Sequence, residues 1–366
     1  MNGNGSSNAS PALIVGGGLA GLYAAYRLEQ AQIPYVLWEA QPRWGGRMDA
    51  LPIEDQPELG VDLGPTWFWP HQSRMQRLCS DLGLTRFEQY VAGDVLYQLK
   101  PEHAPQRTAG AGAMVSYRVE GGMRALINAL LSRLNPSSLA LRHALTSLTR
   151  SGEVWTATAQ HQGQTVQVQT HQLIIAAPPR KMAAPLRPHL PTRLYEQLCA
   201  TPTWMAAQAK FVAVYDTAFW RDAGLAGQAF SRVGPMVEMH DASSAAEAGH
   251  ALFGFVGVPA QARRQHSQAA LETACVDQLV AIFGPEASRP RAVLLKDWAQ
   301  EAWIASAQDL AETPQHPNLN LAPWRTALNG LGLQLVGSEF AREEGGYLEG
   351  ALNAVEASLE AMLKPH

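Results

Sequence analysis

The chain has 366 residues, of which 46% are hydrophobic and only 16% are charged, against roughly 25% charged residues in an average globular protein. Its length exceeds the usual size of a single hydrophobic core, so we expect two structural domains with extensive buried surface. The net charge of -4 and the isoelectric point of about 6.3 give no basic surface for binding nucleic acid or an anionic membrane.

Signals for secretion, membrane insertion and metal binding are absent from the sequence. Residues 1–9 are polar without a basic segment, which predicts a flexible tail, and no apolar run reaches the roughly 18 residues that span a bilayer. The cysteines Cys79, Cys199 and Cys275 lie far apart, which favours free thiols in a reducing compartment. The eleven histidines show no metal-ligand spacing. We therefore expect a cytoplasmic protein without a metal site.

The first predicted elements are typical of a parallel α/β sheet. The short apolar run Ala12–Val15 predicts a strand, the helical spacing of apolar residues over Leu19–Gln30 predicts a helix, and Tyr35–Trp38 predicts a second strand. The next segment, Gln41 to Gly64, is rich in proline and glycine and predicts a long loop.

In the middle of the chain, stretches with the helical spacing of apolar residues alternate with stretches typical of strands. It predicts two helices, a hairpin and a buried strand, which cover Gln72–Leu82, Gly121–Leu134, Val154–Thr158 paired with Thr165–Val168, and Leu173–Ala177.

Beyond residue 182 the character of the sequence changes, which predicts a second domain. Its expected elements are three strands and an amphipathic helix, over Lys210–Tyr215, Met236–Met239, Leu252–Val258 and Ala269–Phe283. The end of the chain returns to the first pattern, with a strand over Leu333–Val336, a turn from Gly337 and a helix from about Glu349 to Leu363. The two domains are therefore expected to be interleaved.

The strongest chemical signal is the glycine turn GGGLAG between the first predicted strand and helix. Gly16, Gly18 and Gly21 satisfy the GxGxxG pattern, in which the glycines allow a tight turn, a close approach of a diphosphate and close helix–strand packing. Glu39 ends the second strand, where a carboxylate accepts hydrogen bonds from ribose hydroxyls. Together they predict a dinucleotide site at the N-terminus of the helix.

A second glycine turn favours FAD over NAD as the dinucleotide. The sequence RWGGR places Arg43 and Arg47 on either side of a glycine pair that includes Gly46. Additional N–H groups and a guanidinium near the same diphosphate are rarely needed for a nicotinamide cofactor.

The chain resembles the flavin-containing amine oxidase family over nearly its whole length. The matching pieces are IVGGGLAGL, EAQPRWGGR, ELGVDLGPTWFWP, YRVEGGMRALINAL, IIAAPP, AKFVAVYDTAFWR and GSEFAREEGGYLEGALNAVEASLEAML. The resemblance implies an α/β fold with a Rossmann-like FAD-binding domain (residues 10–72, 117–183 and 299–366). It also implies an interleaved α+β substrate domain (residues 73–116 and 184–298).

The resemblance implies further contacts to the cofactor. Glu339 would lie beside the flavin ribityl and phosphate region, and a helix N-terminus would meet the pyrimidine edge, where its partial positive charge stabilises a reduced flavin. The residues that carry over to these and adjoining positions are Gly64, Pro65, Thr66, Gly346, Tyr347 and Leu348.

Four residues carry over to the catalytic region of the family. Lys210 matches a lysine that binds a water beside flavin N5 and assists the reaction with oxygen. Tyr347 matches one wall of an aromatic cage around the amine, and Trp298 matches a tryptophan near the flavin. The other cage position falls at Gln308, which is not aromatic, so the cage is incomplete unless Trp67, Trp69 or Trp303 supplies a ring.

The neighbouring position, where monoamine oxidases carry the cysteine that bonds the flavin, falls at Ala307. The resemblance therefore implies that FAD is bound non-covalently.

These observations predict oxidation of a C–N bond in an amine or amino-acid-like substrate. A hydride equivalent would pass to flavin N5, leaving an imine, and dioxygen would reoxidise the cofactor to give hydrogen peroxide. No second GxGxxG exists for a nicotinamide reductant, so the small-molecule amine and dioxygen are the expected partners, while a homodimer stays open. Two alternatives also stay open: a flavin-dependent desaturase or oxidase of a pigment, isoprenoid or natural product, and a non-catalytic FAD-binding scaffold.

Overall fold

The computed structural model describes residues 10–53, 56–110, 114–245 and 249–363, so the tail expected over residues 1–9 lies outside the described residues. The chain forms two compact units. The first consists of the chain up to Gly46, Leu130–Thr203 and the chain from His316, and the second of Arg47–Ala129 and Trp204–Gln315. The units are interleaved, but their boundaries differ from the expected ones. Residues 47–72, 117–129 and 299–315 lie in the second unit, and residues 184–203 lie in the first.

A five-stranded parallel sheet forms the centre of the first unit. Its strands follow the spatial order Leu333–Leu335, Leu173–Ile175, Ala12–Val15, Tyr35–Trp38 and Leu139–Ala140. Val15 lies opposite both Ile175 and Trp38 in the ladder. These strands are short. They are largely apolar because helices cover both faces of a parallel sheet. Two of the helices, Leu19–Gln30 and Leu348–Leu359, pack against each other.

The first unit also contains an antiparallel sheet made of Ala144–Ser151, Val154–His161 and Gln164–Thr170. The last two strands are the predicted hairpin, with Thr158 opposite Gln167. Trp155 is fully buried in the hydrophobic core of this unit, and its indole N–H donates to the carbonyl of Leu331 at 2.7 Å. The remaining helices here are Pro179–Leu186, Thr192–Ala200 and Arg325–Gly330.

A seven-stranded sheet forms the centre of the second unit. The spatial order is Ala292–Asp297, Ala209–Tyr215, His250–Val256, Met236–Asp241, Leu225–Ser231, Asp94–Gln98 and Gln106–Thr108. Neighbouring strands are antiparallel, except that Leu225–Ser231 and Asp94–Gln98 run parallel. Phe211 and Met239 belong to the hydrophobic cluster that this sheet forms with Leu279 of the helix Gln268–Phe283. Side chains alternate across a strand, so Lys210 and Val212 belong to the opposite face.

The rest of the second unit consists of short elements. The strand pairs are Ala50–Ile53 with Gln56–Asp62 and Arg86–Glu88 with Tyr117–Val119. The helices are Ser73–Asp81, Phe219–Asp222, Ala260–Arg263, Ala307–Ala311 and Gly122–Leu131, the last of which crosses the boundary between the two units.

The loop expected from Gln41 to Gly64 is wrong, since the segment contains the paired strands Ala50–Ile53 and Gln56–Asp62. A two-stranded sheet has only edge strands, in which proline and glycine are tolerated. The last helix also ends earlier than expected, at Leu359. Within the described residues, no helix is both long and apolar enough to cross a membrane, and no group of three or more His, Cys, Asp or Glu could hold a metal ion.

Candidate active site

Two glycines of the first turn are required by the fold of the first unit. Gly16 has a φ of +108°, and a Cβ there would lie 2.5 Å from the carbonyl oxygen of Ala176. A Cβ on Gly21 would lie 1.8 Å from the carbonyl oxygen of Gly16. Any larger residue would therefore push the helix Leu19–Gln30 away from the strand before it.

Gly18 has no such requirement within the protein. Its φ of -76° is open to any residue, and the nearest atoms to an added Cβ, Gly45 O and Gly46 Cα, are both 3.8 Å away. Gly18 is also the N-cap of the helix, which has no side-chain cap and no acidic residue in its first turn. The fold itself does not need a glycine at this position, and no acidic side chain lies in the first turn of the helix. Both features are typical of a site where a phosphate group approaches the backbone closely.

Glu39 is held rigidly beside this turn. It is buried, and its Oε2 and Oε1 accept hydrogen bonds from the backbone N–H groups of Gly17 at 2.6 Å and Gln41 at 2.7 Å. Burial raises the pKa of Glu39, and the two N–H groups oppose that rise. Each carboxylate oxygen retains a lone pair for a ribose hydroxyl.

The second glycine turn contacts the first. Gly45 forms a bridge with Gly18, a Cβ on Gly46 would lie 3.1 Å from Gly18 Cα, and Arg43 donates to the carbonyl of Gly46 at 2.9 Å. Arg47 belongs to the second unit, where its guanidinium donates to the carbonyl of Trp204 at 3.2 Å. The structure therefore brings Gly46 and Arg43 to the Gly18 turn.

The C-terminal part of the first unit holds the remaining cofactor candidates. Glu339 is buried and accepts a hydrogen bond from Ser338 Oγ at 3.1 Å, while the N–H of Gly346 donates to the carbonyl of Ser338 at 3.1 Å. Tyr347 is the N-cap residue of the helix that begins at Leu348, and its side chain does not cap it. The Tyr347 hydroxyl lies 3.2 Å from His316 Nε2, and burial raises the pKa of Tyr347.

Lys210 is buried on the sheet of the second unit, although lysine is rarely found in such a place. Its Nζ donates to the carbonyl of Gly64 at 3.0 Å and to Thr66 Oγ1 at 2.5 Å, and lies 4.1 Å from the centre of the Phe253 ring. Burial lowers the pKa of Lys210 to about 7. The amine is therefore close to the point at which a small change alters its charge.

Trp298 lies next to the same loop. Its Nε1 donates to the carbonyl of Leu63 at 3.0 Å, and a Cβ on Gly64 would meet the Trp298 ring at 3.5 Å and the carbonyl oxygen of Arg47 at 2.0 Å. Pro65 is half-buried between Gly64 and Thr66. The structure thus gathers four predicted residues within the second unit: Gly64, Thr66, Lys210 and Trp298.

Gln308 is not part of this group of contacts. It is exposed on the short helix Ala307–Ala311 and donates to Glu312 Oε1 at 2.7 Å. Of the three tryptophans considered for the missing ring, Trp303 is 47% exposed and Trp69 stacks on His71. Trp67 packs on Phe253, with ring centroids 5.6 Å apart.

Sequence reasoning missed several residues that surround Lys210. Phe253 and His240 are two of them, with ring centroids 5.3 Å apart, and the predicted candidate Trp67 packs on the same His240 at 5.0 Å. His240 Nε2 lies 2.6 Å from Glu238 Oε1. The buried charges Asp62 and Arg118 also act on the lysine. Both lie inside sequence segments that resemble the amine oxidase family, but nothing in their spacing predicts that they lie near Lys210.

Comparison with protein families assigns the chain. The model for flavin containing amine oxidoreductases matches residues 91–358, and a model for NAD(P)-binding Rossmann-like domains matches residues 14–82. The chain belongs to the flavin-containing amine oxidase family.

Relatives of this amine oxidase span most of its length. A "Probable flavin-containing monoamine oxidase A" from Dictyostelium discoideum is 23% identical over 93% of this chain and 95% of that relative. A putrescine oxidase from Kocuria rosea is 26% identical over 79% of this chain and 64% of that relative. A solved putrescine oxidase bound to putrescine has a TM-score of 0.80 to this chain at 19% identity. The match covers 97% of this chain and 99% of the putrescine oxidase. These comparisons confirm the two-domain α/β fold.

The amine oxidase is therefore an oxidoreductase with FAD as its cofactor, which confirms the preference for a flavin over a nicotinamide. The first unit fits this cofactor in its own geometry. Gly18 leaves space for a diphosphate at the N-terminus of the helix Leu19–Gln30, and Glu39 presents a fixed carboxylate for the ribose.

Proposed function

We propose that this amine oxidase converts a C–N bond of an amine or amino-acid-like substrate into an imine and passes the electrons to dioxygen. The observation that carries the proposal is the buried Lys210, held by Gly64 and Thr66 against the ring of Phe253. A buried amine in aromatic surroundings is costly for stability, which is typical of a residue retained for chemistry.

The chemistry that bound FAD supplies is acceptance of a hydride equivalent from the C–H bond beside nitrogen and its delivery to dioxygen, which gives an imine and hydrogen peroxide. Water then hydrolyses the imine to a carbonyl compound. The chain contributes binding, orientation and charge. Gly18 and Glu39 would hold the diphosphate and ribose, and Glu339, Gly346 and Leu348 the remaining part of the cofactor.

Lys210 is proposed to assist the reaction with oxygen. Reduction of dioxygen develops negative charge, and a pre-positioned ammonium in a site of low dielectric constant stabilises such charge more than water does. Its hydrogen bonds to Gly64 and Thr66 fix the direction of the side chain, so no reorganisation is needed at the moment of reaction.

Aromatic rings are proposed to bind the neutral amine and its apolar body. Tyr347 stays the candidate from the first unit, and Trp298 and Trp67 are the candidates from the second. We choose Trp67 because it packs with Phe253, beside which the Lys210 amine lies. Gln308 keeps a proposed role only if its hydrogen bond to Glu312 can exchange for one to substrate.

The test is an anaerobic screen in which amines, diamines and amino acids are mixed with the yellow holoenzyme. At least one compound with a C–N bond should bleach the flavin band, and readmission of oxygen should restore it with an equimolar yield of hydrogen peroxide. In the Lys210→Met variant, bleaching should persist while the reaction with oxygen slows by about 100-fold.

Two other outcomes would contradict the proposal. Bleaching only by compounds without a C–N bond would favour the desaturase or natural-product oxidase. A flavin that no small molecule reduces would favour the non-catalytic scaffold.

A further inference from the structure

The surroundings of Lys210 contain more charge than its two hydrogen bonds account for. Asp62 ends the strand Gln56–Asp62, two residues before Gly64, and its side chain is buried. Its Oδ1 accepts the backbone N–H of Met123 at 2.8 Å, while its Oδ2 is buried without a hydrogen-bond partner among the described residues. A buried carboxylate oxygen without such a partner is costly unless nearby cations stabilise its charge.

The second buried charge near Lys210 is Arg118. Its Nη1 and Nη2 donate to the carbonyls of Ser243 at 2.6 Å and Ala242 at 3.1 Å, which are uncharged acceptors. Its Nε is buried and has no partner among the described residues. Arg118 therefore keeps a net positive charge next to a lysine, and like charges oppose each other's ionisation.

Two other ionisable groups on this face of the sheet, Lys296 and His240, have partners of their own. Lys296 lies opposite Lys210 on the neighbouring strand and binds Asp49 at 3.1 Å and also Glu301. Across the sheet, His240 pairs with Glu238. Asp62 lies two residues before Gly64, whose carbonyl accepts from Lys210 Nζ at 3.0 Å. Its chain neighbours Val61 and Leu63 pack in one hydrophobic cluster with Val212 of the lysine's strand, so its charge lies close enough to act on Lys210.

We infer that Asp62 is a positioning residue that serves as the buried counter-charge of Lys210 and keeps it protonated for its reaction with oxygen. The inference rests on the proposed role of Lys210. The directions of ionisation agree with it. Burial lowers the pKa of Lys210, Asp62 raises it, and Arg118 lowers it further. Burial raises the pKa of Asp62, while Arg118 and Lys210 lower it. Loss of the carboxylate would leave two buried cations facing each other.

The first test compares Asp62→Asn with the native holoenzyme after anaerobic reduction. The rate of the reaction with oxygen is measured from mildly acidic to alkaline pH, so that the range includes pH values on both sides of the Lys210 pKa of about 7. Loss of the Lys210 proton should slow this reaction. In the variant, the midpoint of this loss should move to lower pH by at least about one unit. Rescue is provided by Asp62→Glu, which retains the charge and should restore the midpoint partly toward the native value.

Asp241→Asn is the matched control. Asp241 is an equally buried carboxylate, but it bonds Arg221 at 2.7 and 2.9 Å and Trp220 Nε1 at 2.8 Å. Its loss should lower the thermal midpoint without moving the pH midpoint of the oxygen reaction. A pH midpoint that Asp62→Asn leaves in place, or that both variants move equally, would overturn the inference.

A second readout does not depend on catalysis. Urea midpoints of Asp62→Asn, Lys210→Met and the double variant form a cycle that isolates the coupling of the pair. The double variant should be less destabilised than the sum of the two single variants, and additive effects would overturn the inference. If no amine reduces the flavin, the proposed function fails while this coupling can still be present, so the two failures are distinguishable.

If Asp62→Asn does not yield folded protein, Asp62→Ser takes its place in the pH measurement. It also removes the charge, so the midpoint should again move to lower pH, and an unmoved midpoint would contradict the inference.

Discussion

Gly18 and Gly21 lie three residues apart in one turn, yet they are glycines for different reasons. A Cβ on Gly21 would overlap the carbonyl oxygen of Gly16, whereas the nearest atoms that a Cβ on Gly18 would meet outside its own turn, Gly45 O and Gly46 Cα, lie 3.8 Å away. We therefore expect Gly18→Ala to weaken FAD binding by about tenfold or more, because the methyl group occupies the approach of a charged ligand to the backbone. The stability of the apoprotein should change by less than about 1 kcal/mol.

Gly21→Ala is the matched control for this prediction. It should destabilise the apoprotein by about 1–3 kcal/mol or more, since the helix must move away from the strand. Flavin fluorescence titration and urea unfolding of both apoproteins measure the two effects. If Gly18→Ala unfolds the protein as readily as Gly21→Ala does, the space at Gly18 belongs to the fold and not to a ligand.

Lys210 makes the stability of the protein depend on pH in a predictable direction. Burial lowers its pKa from 10.5 to about 7 in the folded protein. Between these two values the unfolded chain holds a proton that the folded protein has released, so unfolding becomes less favourable as the pH rises. Below about pH 7 both states are protonated, and above about pH 10.5 neither is, so the effect is confined to this window.

The Lys210→Met variant should lose this dependence. The free energy of unfolding of the variant, minus that of the native protein, should fall as the pH rises from about 7 to about 9.5. Urea unfolding at the two pH values gives the difference directly. A difference that stays constant, or that grows with pH, would mean that the folded protein keeps Lys210 charged throughout the window.

At the level of single residues, the sequence predicts positions that depend on local backbone geometry more readily than it predicts which side chains surround a given residue. Glycines and Glu39 follow from a turn whose geometry is local, and the structure gathers Gly16, Gly18 and Gly21 as expected. The choice among three tryptophans depends on which way each loop turns, and only the fold distinguishes Trp67 from the exposed Trp303. Partners such as Asp62 come from strands far apart in the chain, which spacing cannot reveal.

Among the elements, apolar runs were the reliable signal. The strands Ala12–Val15, Tyr35–Trp38 and Leu173–Ile175 are buried on both faces of a parallel sheet, so their sequences are almost continuously apolar. Some strands with polar or small residues were not predicted. Leu225–Ser231 and Asp94–Gln98 obtain their strand structure from neighbours in the seven-stranded sheet, which is a tertiary effect.

Lys210 shows how the prediction of an element and the environment of a single residue combine. A strand was expected over Lys210–Tyr215, and every residue of the observed strand Ala209–Tyr215 is buried. A central strand with helix and loop on its two faces leaves no solvent for a lysine, so its position on the strand already implies a perturbed amine. What the sequence could not supply is the loop Leu63–Thr66, whose backbone and hydroxyl groups receive the amine.

For the whole molecule, the interleaving was predictable while its boundaries were not. Both ends of the chain carry the α/β pattern, and both lie in the first unit. The compact second unit begins at Arg47, directly after the second glycine turn, whereas the proposed FAD-binding domain continues to residue 72. Nothing in local composition marks Arg47 as a boundary.

The cysteines and Ala307 together predict how the whole protein holds its cofactor. Cys79 and Cys275 are fully buried, and burial raises their pKa values to about 11 and about 12, so neither forms the reactive thiolate readily. Cys199 packs against the hydrophobic core of the first unit, and the position that the family resemblance gives to a flavin-bonding cysteine is Ala307. Acid precipitation of the holoenzyme should therefore release the yellow chromophore as intact FAD, leaving a colourless pellet.

Reversible binding also implies that free FAD at 100 times its dissociation constant stabilises the folded apoprotein by about 2.7 kcal/mol. A pellet that stays yellow after denaturation, with no shift of the unfolding midpoint on adding FAD, would instead require a covalent bond to a residue other than Ala307.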